Sequence, residues 1–386
     1  MHSSKAKVYF GLALPMALAL FFFAGTLFTA SVTAQNRKQL PPPPAGPQLR
    51  PKPTPTPKPT PEPVYEVLRI SSNLVVVPVS VTDANGQPML GLKPNDFRVT
   101  EEGRPQEIAQ MGDPEQVPLD IAILIDVSSS VSERFAFEEQ AATRFLKEVL
   151  RPTDSATVYA IDRTPRLEQA RTNADVAAAK LMSIKAATGP SPTAFYDTVI
   201  EAARYLAKNT PEQHRRVLVV ISDGEDNFSN RVRDSAIAAY RATESDDDSS
   251  AAGRKRIRAA SEAALQEGHR KAQAEVQREV QTANAVFYSI NPSGESYKLN
   301  LISTRAQEAM QQLAMATGGS AFVPTGTAAL AGVFNRIENE LRAQYLLQYY
   351  SNNESAGNGY RHIAITTPIQ PQLHVRAREG YYPKAR

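Results

Sequence analysis

Leu119-Asp-Ile-Ala-Ile-Leu-Ile-Asp126-Val-Ser-Ser-Ser130 decides how this chain is read. Its core is a continuous, β-branched apolar run, too short for a helix and without the polar alternation of a half-exposed strand. A strand of that kind is covered on both faces, as in parallel sheets. The run leads without a break into an aspartate and three serines. In open α/β sheets ligands bind beyond the carboxyl ends of the strands, where these oxygen-bearing side chains fall.

The residues on either side keep the same alternation of elements. Residues 133–150 place Phe135, Ala142, Phe145, Leu146, Val149 and Leu150 on one helical face, and Ala156–Ile161 is the next strand. Helices are predicted over Asn173–Lys185 and Ala194–Lys208, then a second fully apolar strand over Arg216–Ile221. Residues 254–283 read as helix, Ala285–Ile290 as strand, and Ala306–Ala316 as a helix ending at Gly318-Gly319. Ala321–Val323 and Leu330–Arg342 close the series as strand and helix. The expectation over 117–345 is an α/β fold, a doubly wound and mainly parallel sheet with helices on both faces. Between Glu244 and Arg258 the pattern breaks into a Ser/Asp run followed by Gly253-Arg-Lys-Arg, which reads as a flexible insertion after Tyr240. Asp246–Asp248 lacks the glycine and distal glutamate of a calcium loop and reads as a solvated charge run.

Both flanks of this segment are β-rich. Leu74–Val81, then Phe97–Thr100 and Gln106–Ala109 as a hairpin around Glu102-Gly103, fill residues 64–113. Gln344–Tyr350, Tyr360–Thr366 and Leu373–Arg378 alternate in the same way up to residue 386. Neither flank has strands enough to bury a core alone, and unpaired edges are a liability. The flanks 64–113 and 346–386 are therefore expected to form one small β-sandwich into which the α/β segment is inserted. His362 and His374 read as strand surface residues.

The N-terminus adds a location. Lys5 and Lys7 precede an apolar run from Val8 to Ala30, and Val32-Thr-Ala34 offers a small-residue cleavage pattern. Residues 1–34 read as a cleavable secretory signal or as a retained anchor that would associate the protein with the membrane; either places the rest outside the cytoplasm, periplasmic, secreted or membrane-anchored. Residues 41–63 hold 12 prolines in 23 positions. With φ fixed near the polyproline II value, this stretch, the greater part of a linker over 35–63, is a semi-rigid spacer reaching roughly 70 Å.

Composition narrows the chemistry. The chain has 386 residues, 43 Lys and Arg against 40 Asp and Glu, no Cys and five scattered His. A near-neutral balance without a basic face argues against nucleic-acid binding. Without Cys there are no disulfides, no thiolate-bound zinc and no thiol catalysis. Any metal should be hard and held by oxygen. Three polar clusters qualify: Asp126-Val-Ser128-Ser-Ser130, Ser191-Pro-Thr193 and Ser222-Asp223-Gly-Glu-Asp226. Their few carboxylates and several hydroxyls suit magnesium, with manganese or calcium as substitutes.

These clusters, with Leu124-Ile-Asp126-Val-Ser128-Ser-Ser130, Ser191-Pro-Thr193-Ala-Phe-Tyr-Asp197 and Leu218-Val-Val-Ile-Ser-Asp223-Gly, resemble the von Willebrand factor type A domain and its metal-ion-dependent adhesion site. The flanks, with Val81-Thr-Asp-Ala-Asn-Gly86 and Arg376-Ala-Arg-Glu-Gly-Tyr-Tyr382, are similar to secreted proteins of that family typical of acidobacteria. The resemblance implies direct metal binding by Ser128 and Ser130. It implies that Thr193 binds directly or through water, and that Asp126 and Asp223 act mostly through water. It also implies a protein partner that completes the metal shell with an Asp or Glu, and no catalysis. Two alternatives compete. A magnesium-dependent phosphohydrolase would use Asp126 as nucleophile, but Ser128 stands where such enzymes usually carry a second acid. A structural domain would use no metal at all.

Overall fold

A computed structural model of the chain describes residues 74–128, 135–189, 191–244, 248–293, 301–353 and 359–383. The N-terminal apolar run, the Ala34 cleavage position, the proline-rich stretch, Ser130 and Asp246-Asp247 lie outside the described residues. The first described elements are β1 (Leu74–Thr82), β2 (Arg98–Glu101), β3 (Arg104–Gln106) and β4 (Ile108–Gly112). The α/β part follows with β5 (Leu119–Asp126), α1 (Phe135–Val149), β6 (Ser155–Ile161), β7 (Arg166–Thr172), α2 (Ala174–Leu181), α3 (Phe195–Asn209) and β8 (Arg215–Ile221). It continues through α4 (Asn230–Ala242), α5 (Ala251–Thr282), β9 (Ala285–Ile290), α6 (Leu301–Thr317), β10 (Ala321–Phe322) and α7 (Thr327–Ala343). Four strands end it: β11 (Tyr345–Tyr350), β12 (Arg361–Thr366), β13 (His374–Ala377) and β14 (Gly380–Tyr381).

The central sheet has the order β10-β9-β8-β5-β6-β7, parallel throughout except for β7 at its edge. Every residue of β5 is buried. Ile121, Ile123 and Ile125 face a core shared with α1, α2 and α7. Ala122 and Leu124 face the other core, built with α3, α5 and α6. Period two on the strand thus feeds both layers of a doubly wound fold, and each buried Ile or Leu contributes about 2 kcal/mol. Gly319 lets β10 reach β9, because a Cβ there would lie 2.0 Å from the Phe287 carbonyl oxygen.

The flanking strands pair with one another. One antiparallel sheet has the order β13-β1-β11-β4, the other β14-β12-β2-β3, so each takes strands from both ends of the described chain. Val75, Val77 and Val79 of β1 meet Val99, Leu347, Tyr349, Ile363 and Tyr381 in a third core. Fully buried Glu101 is answered there by Tyr349 Oη at 2.9 Å, Ser351 Oγ at 2.7 Å, Tyr381 Oη at 3.1 Å and Arg361 Nη1 at 3.1 Å.

The chain crosses between the parts at 113–118 and at 343–345, with Gly112 paired to Leu346. Arg215, at the start of β8, donates to the Pro114 carbonyl at 2.9 Å and to the Leu341 carbonyl at 2.7 Å, holding both crossings. Glu340 of α7 accepts from Tyr288 Oη at 2.7 Å and from Ser80 Oγ at 3.3 Å, and pairs with Arg376.

Several boundaries differ from the sequence reading. The expected helix to Lys185 stops at Leu181, where the Ser183 hydroxyl takes the Lys180 carbonyl at 2.7 Å in place of a continuing helical bond. The expected flexible insertion 244–258 is helical from Ala251, because Ser250 caps α5 by accepting the Gly253 N–H at 2.9 Å. The hairpin's second arm ends at Gln106, and β4 departs to the other sheet.

Candidate functional site

The carboxyl edge of the central sheet collects the polar clusters. Strand β5 ends on Asp126, which is fully buried. Its Oδ1 accepts the Ser128 N–H at 2.9 Å and its Oδ2 accepts the Ser222 hydroxyl at 2.7 Å. Ser222 follows the last residue of β8 and its hydroxyl accepts the Gly224 N–H at 2.9 Å, so one serine joins two strand ends. Gly224 has φ +77°, a left-handed conformation that favours glycine, and a Cβ there would press on the end of the Met310 side chain, 2.7 Å from its Cε. Asp223 is half-buried and its Oδ1 accepts the Glu225 N–H at 3.1 Å, which bends the loop back on itself.

Thr193 enters from a third direction, just before α3. It is buried, its N–H donates to Asn227 Oδ1 at 2.8 Å, and its carbonyl accepts the N–H groups of Asn227 and Phe228 at 3.1 Å each. Asp226 locks the same loop onto α3, accepting from Tyr196 N at 2.9 Å, Ser229 N at 3.0 Å and Phe228 N at 3.2 Å, while the Ser229 hydroxyl accepts the Asp197 N–H at 3.0 Å. The structure therefore ties Asp126 and Ser128 to the loop of Asp223, and that loop to Thr193. Ser130 lies outside the described residues.

The electrostatics of this edge centre on Asp126. Burial pushes the Asp126 carboxyl above the usual carboxylate range, and the negative charge of Asp162 adds to that. No lysine or arginine among the described residues forms an ion pair with Asp126. A buried carboxylate with another acid beside it is stabilised as an anion by an added cation. Among the described residues no three of His, Asp and Glu converge as a metal site, so a cation at this edge would draw on hydroxyl oxygens too. Burial raises Asp226 likewise.

Three residues of this network escape the sequence reading. Asn227 and Ser229 look like ordinary loop polars until the loop folds onto α3. Asp162 carries a usable signal: it follows β6 directly, as Asp126 ends β5, and its carbonyl accepts the Ala194 N–H at 2.9 Å beside Thr193.

Residues 121–225 match the family described as the von Willebrand factor type A domain. No curated protein matches the chain in sequence. Among solved structures, the von Willebrand domain of the type V pili tip protein of Porphyromonas gingivalis is 13% identical, aligns over 57% of this chain and 94% of its own, and gives a TM-score of 0.39. The PilB minor pilin of Streptococcus sanguinis is 13% identical over 59% of this chain and 62% of its own, with a TM-score of 0.40. A proximal thread matrix protein of the mussel byssus, described with a zinc-occupied MIDAS motif, is 12% identical over 63% and 50%, with a TM-score of 0.40.

Proposed function

We propose, from the premise that this chain carries a von Willebrand factor type A domain, that it is a non-catalytic binding module working through one magnesium ion. Asp126, Ser128, Ser130, Thr193 and Asp223 hold the ion, and a partner protein's Asp or Glu completes its shell. The observation that carries this reading is Asp126: a fully buried carboxylate, raised by burial and by Asp162, with no cationic side chain paired to it among the described residues. Magnesium prefers six oxygens, several of them waters, which suits two carboxylates among hydroxyls. The same carboxylate already accepts the Ser128 N–H on one oxygen and the Ser222 hydroxyl on the other, which suits a contact to an ion through water better than direct attack on a substrate. In keeping with the sequence reading, residues 1–34 export the module, as a cleaved signal or a retained anchor, and residues 35–63 serve as a linker. Among the described residues no helix is long and apolar enough to cross a membrane.

The test is calorimetric. Magnesium at about 100 times its Kd should stabilise the protein by about 2.7 kcal/mol, and EDTA should remove that gain. Asp126→Ala should lose the magnesium effect and keep its fold, since the sheet is held by apolar burial. Equal magnesium binding by the two proteins would overturn the metal site.

A further inference from the structure

Beside the oxygen-bearing residues stands a feature that they do not use. The Phe228 ring carries two guanidiniums, with Arg163 Cζ 4.8 Å and Arg233 Cζ 4.7 Å from its centroid. The two charges therefore lie within about 10 Å of each other, an unfavourable pairing that the ring offsets in part. Arg233 has company: its Nη2 donates to Asn230 Oδ1 at 3.1 Å, and the Asp197 carboxylate lies within its field. Arg163 has none. Its neighbour Asp162 is committed, with Oδ2 on Arg166 at 2.7 Å and Oδ1 accepting the Arg163 N–H at 2.7 Å and the Ser191 hydroxyl at 3.3 Å. The Arg163 side chain is exposed, and no carboxylate among the described residues pairs with it.

Its position gives the free charge a meaning. Phe228 donates its N–H to the Thr193 carbonyl, and the Asp162 carbonyl accepts from Ala194, so both supports of the stack also hold the Thr193 segment. Asp126 pairs with Ile161, two residues before Arg163. With about 4.8 Å between paired strands and at most about 3.8 Å per residue through the bend that follows Ile161, the Cα atoms of Asp126 and Arg163 stand within roughly 12 Å of each other. An extended chain brought to the metal by one acidic side chain can place another within that distance two to four residues away. We infer that the partner segment is doubly acidic: one carboxylate completes the metal shell, and a second, a few residues along, is received by Arg163, which Phe228 steadies. This rests on the metal-dependent reading above and specifies its partner. A planar guanidinium held on a ring face loses little freedom when it grips a carboxylate through two N–H groups.

The test uses fluorescein-labelled Gly/Ser peptides bearing one glutamate, or two separated by one, two or three residues. Binding to the full chain is read by anisotropy in magnesium and in EDTA. In magnesium the best diacid peptide should bind about fivefold more tightly than the monoacid. Arg163→Gln should abolish that preference while leaving monoacid binding and magnesium binding unchanged, and Arg163→Lys should restore only part of it. A wild type that binds monoacid and diacid equally, in magnesium only, overturns this inference and leaves the metal reading standing. Magnesium bound without any magnesium-dependent peptide capture overturns both. Arg163-dependent capture of a heparin oligosaccharide in EDTA, without a diacid preference, overturns it in favour of a polyanion surface.

Discussion

Asp226 should matter more than its place in a polar loop suggests. Replacing it with Ala removes the acceptor for Tyr196 N, Ser229 N and Phe228 N. Tyr196 and Ser229 are buried, so two amide groups are left without a partner and without water. Each orphaned buried donor costs about 1–3 kcal/mol. Against this stands the burial of the carboxylate itself, which raises its pKa and disfavours the charged form. The net loss should be about 3 kcal/mol, which lowers the melting temperature by about 6–12 °C in an α/β part of this size. The second effect is on the metal. Once the loop is free of α3, Asn227 no longer fixes Thr193, and supporting residues of this kind typically change metal affinity about 10–100-fold. Thermal denaturation followed by circular dichroism reads the first effect, and magnesium titration calorimetry the second. Asn227→Ala separates them: Asn227 is exposed, so stability should hardly change while magnesium affinity still falls. An Asp226→Ala protein melting within 2 °C of wild type, on the scale of about 2–4 °C per kcal/mol, would refute the buried-donor reasoning. A destabilised variant with unchanged magnesium affinity would break the link to Thr193.

Three further expectations concern the rest of the molecule. Burial pushes the Arg215 guanidinium down to about 10, so it stays charged at neutral pH, and Arg215→Met should cost about 2–4 kcal/mol by stripping the carbonyls of Pro114 and Leu341 of their donor; hydrogen exchange should speed up at 113–118 and 341–345, and unchanged exchange there would refute the clamp. His269 sits on α5 with Nδ1 3.2 Å from Tyr196 Oη, and burial lowers its pKa from 6.5. Its folded pKa lies below its unfolded one, so stability is full above pH of about 6.5 and falls as acid protonates the unfolded chain first; wild type should lose more melting temperature than His269→Gln between neutral pH and mild acid, and parallel curves would exclude the effect. Ending the chain after Gln344 strips β1 of both its neighbours, β11 and β13; its amides should then exchange at unprotected rates, and surviving protection would show that the N-terminal strands stand alone.

What could be read in advance follows burial. Strands β5, β8 and β9 are covered on both faces, so their apolar runs announce them. Strand β7, Arg-Leu-Glu-Gln-Ala-Arg-Thr, lies at an edge with no residue fully buried, and nothing in its pattern separates it from a loop. Helix α4 buries only Val232 and Ala239, too thin a stripe to recognise. The placing of Asp126, Ser128, Thr193 and Asp223 at one edge of the sheet was legible because these residues sit directly after strands or before a helix. The bracing part of Asp226 was not, since nothing in a Ser-Asp-Gly-Glu-Asp run shows that its carboxylate will take the N–H groups of Tyr196 and Ser229. Arg215 was hidden for the opposite reason: a charge at a strand's start normally points to water, and here two chain crossings surround it.

The arrangement of β1 against β11 also has a mechanical consequence. Leu74 lies opposite Tyr350 and Val79 opposite Tyr345, so the two strands run past each other over their whole paired length. Tension applied to the chain ahead of Leu74, and resisted through α7 at the other end of β11, pulls these strands along their axes in opposite directions. Every rung of the ladder then resists at once, rather than one after another as in unzipping. Strand β13 grips β1 from the other side over Val79–Thr82, adding rungs to the same shear. The sandwich would thus yield only at high force when the chain is pulled from these two points.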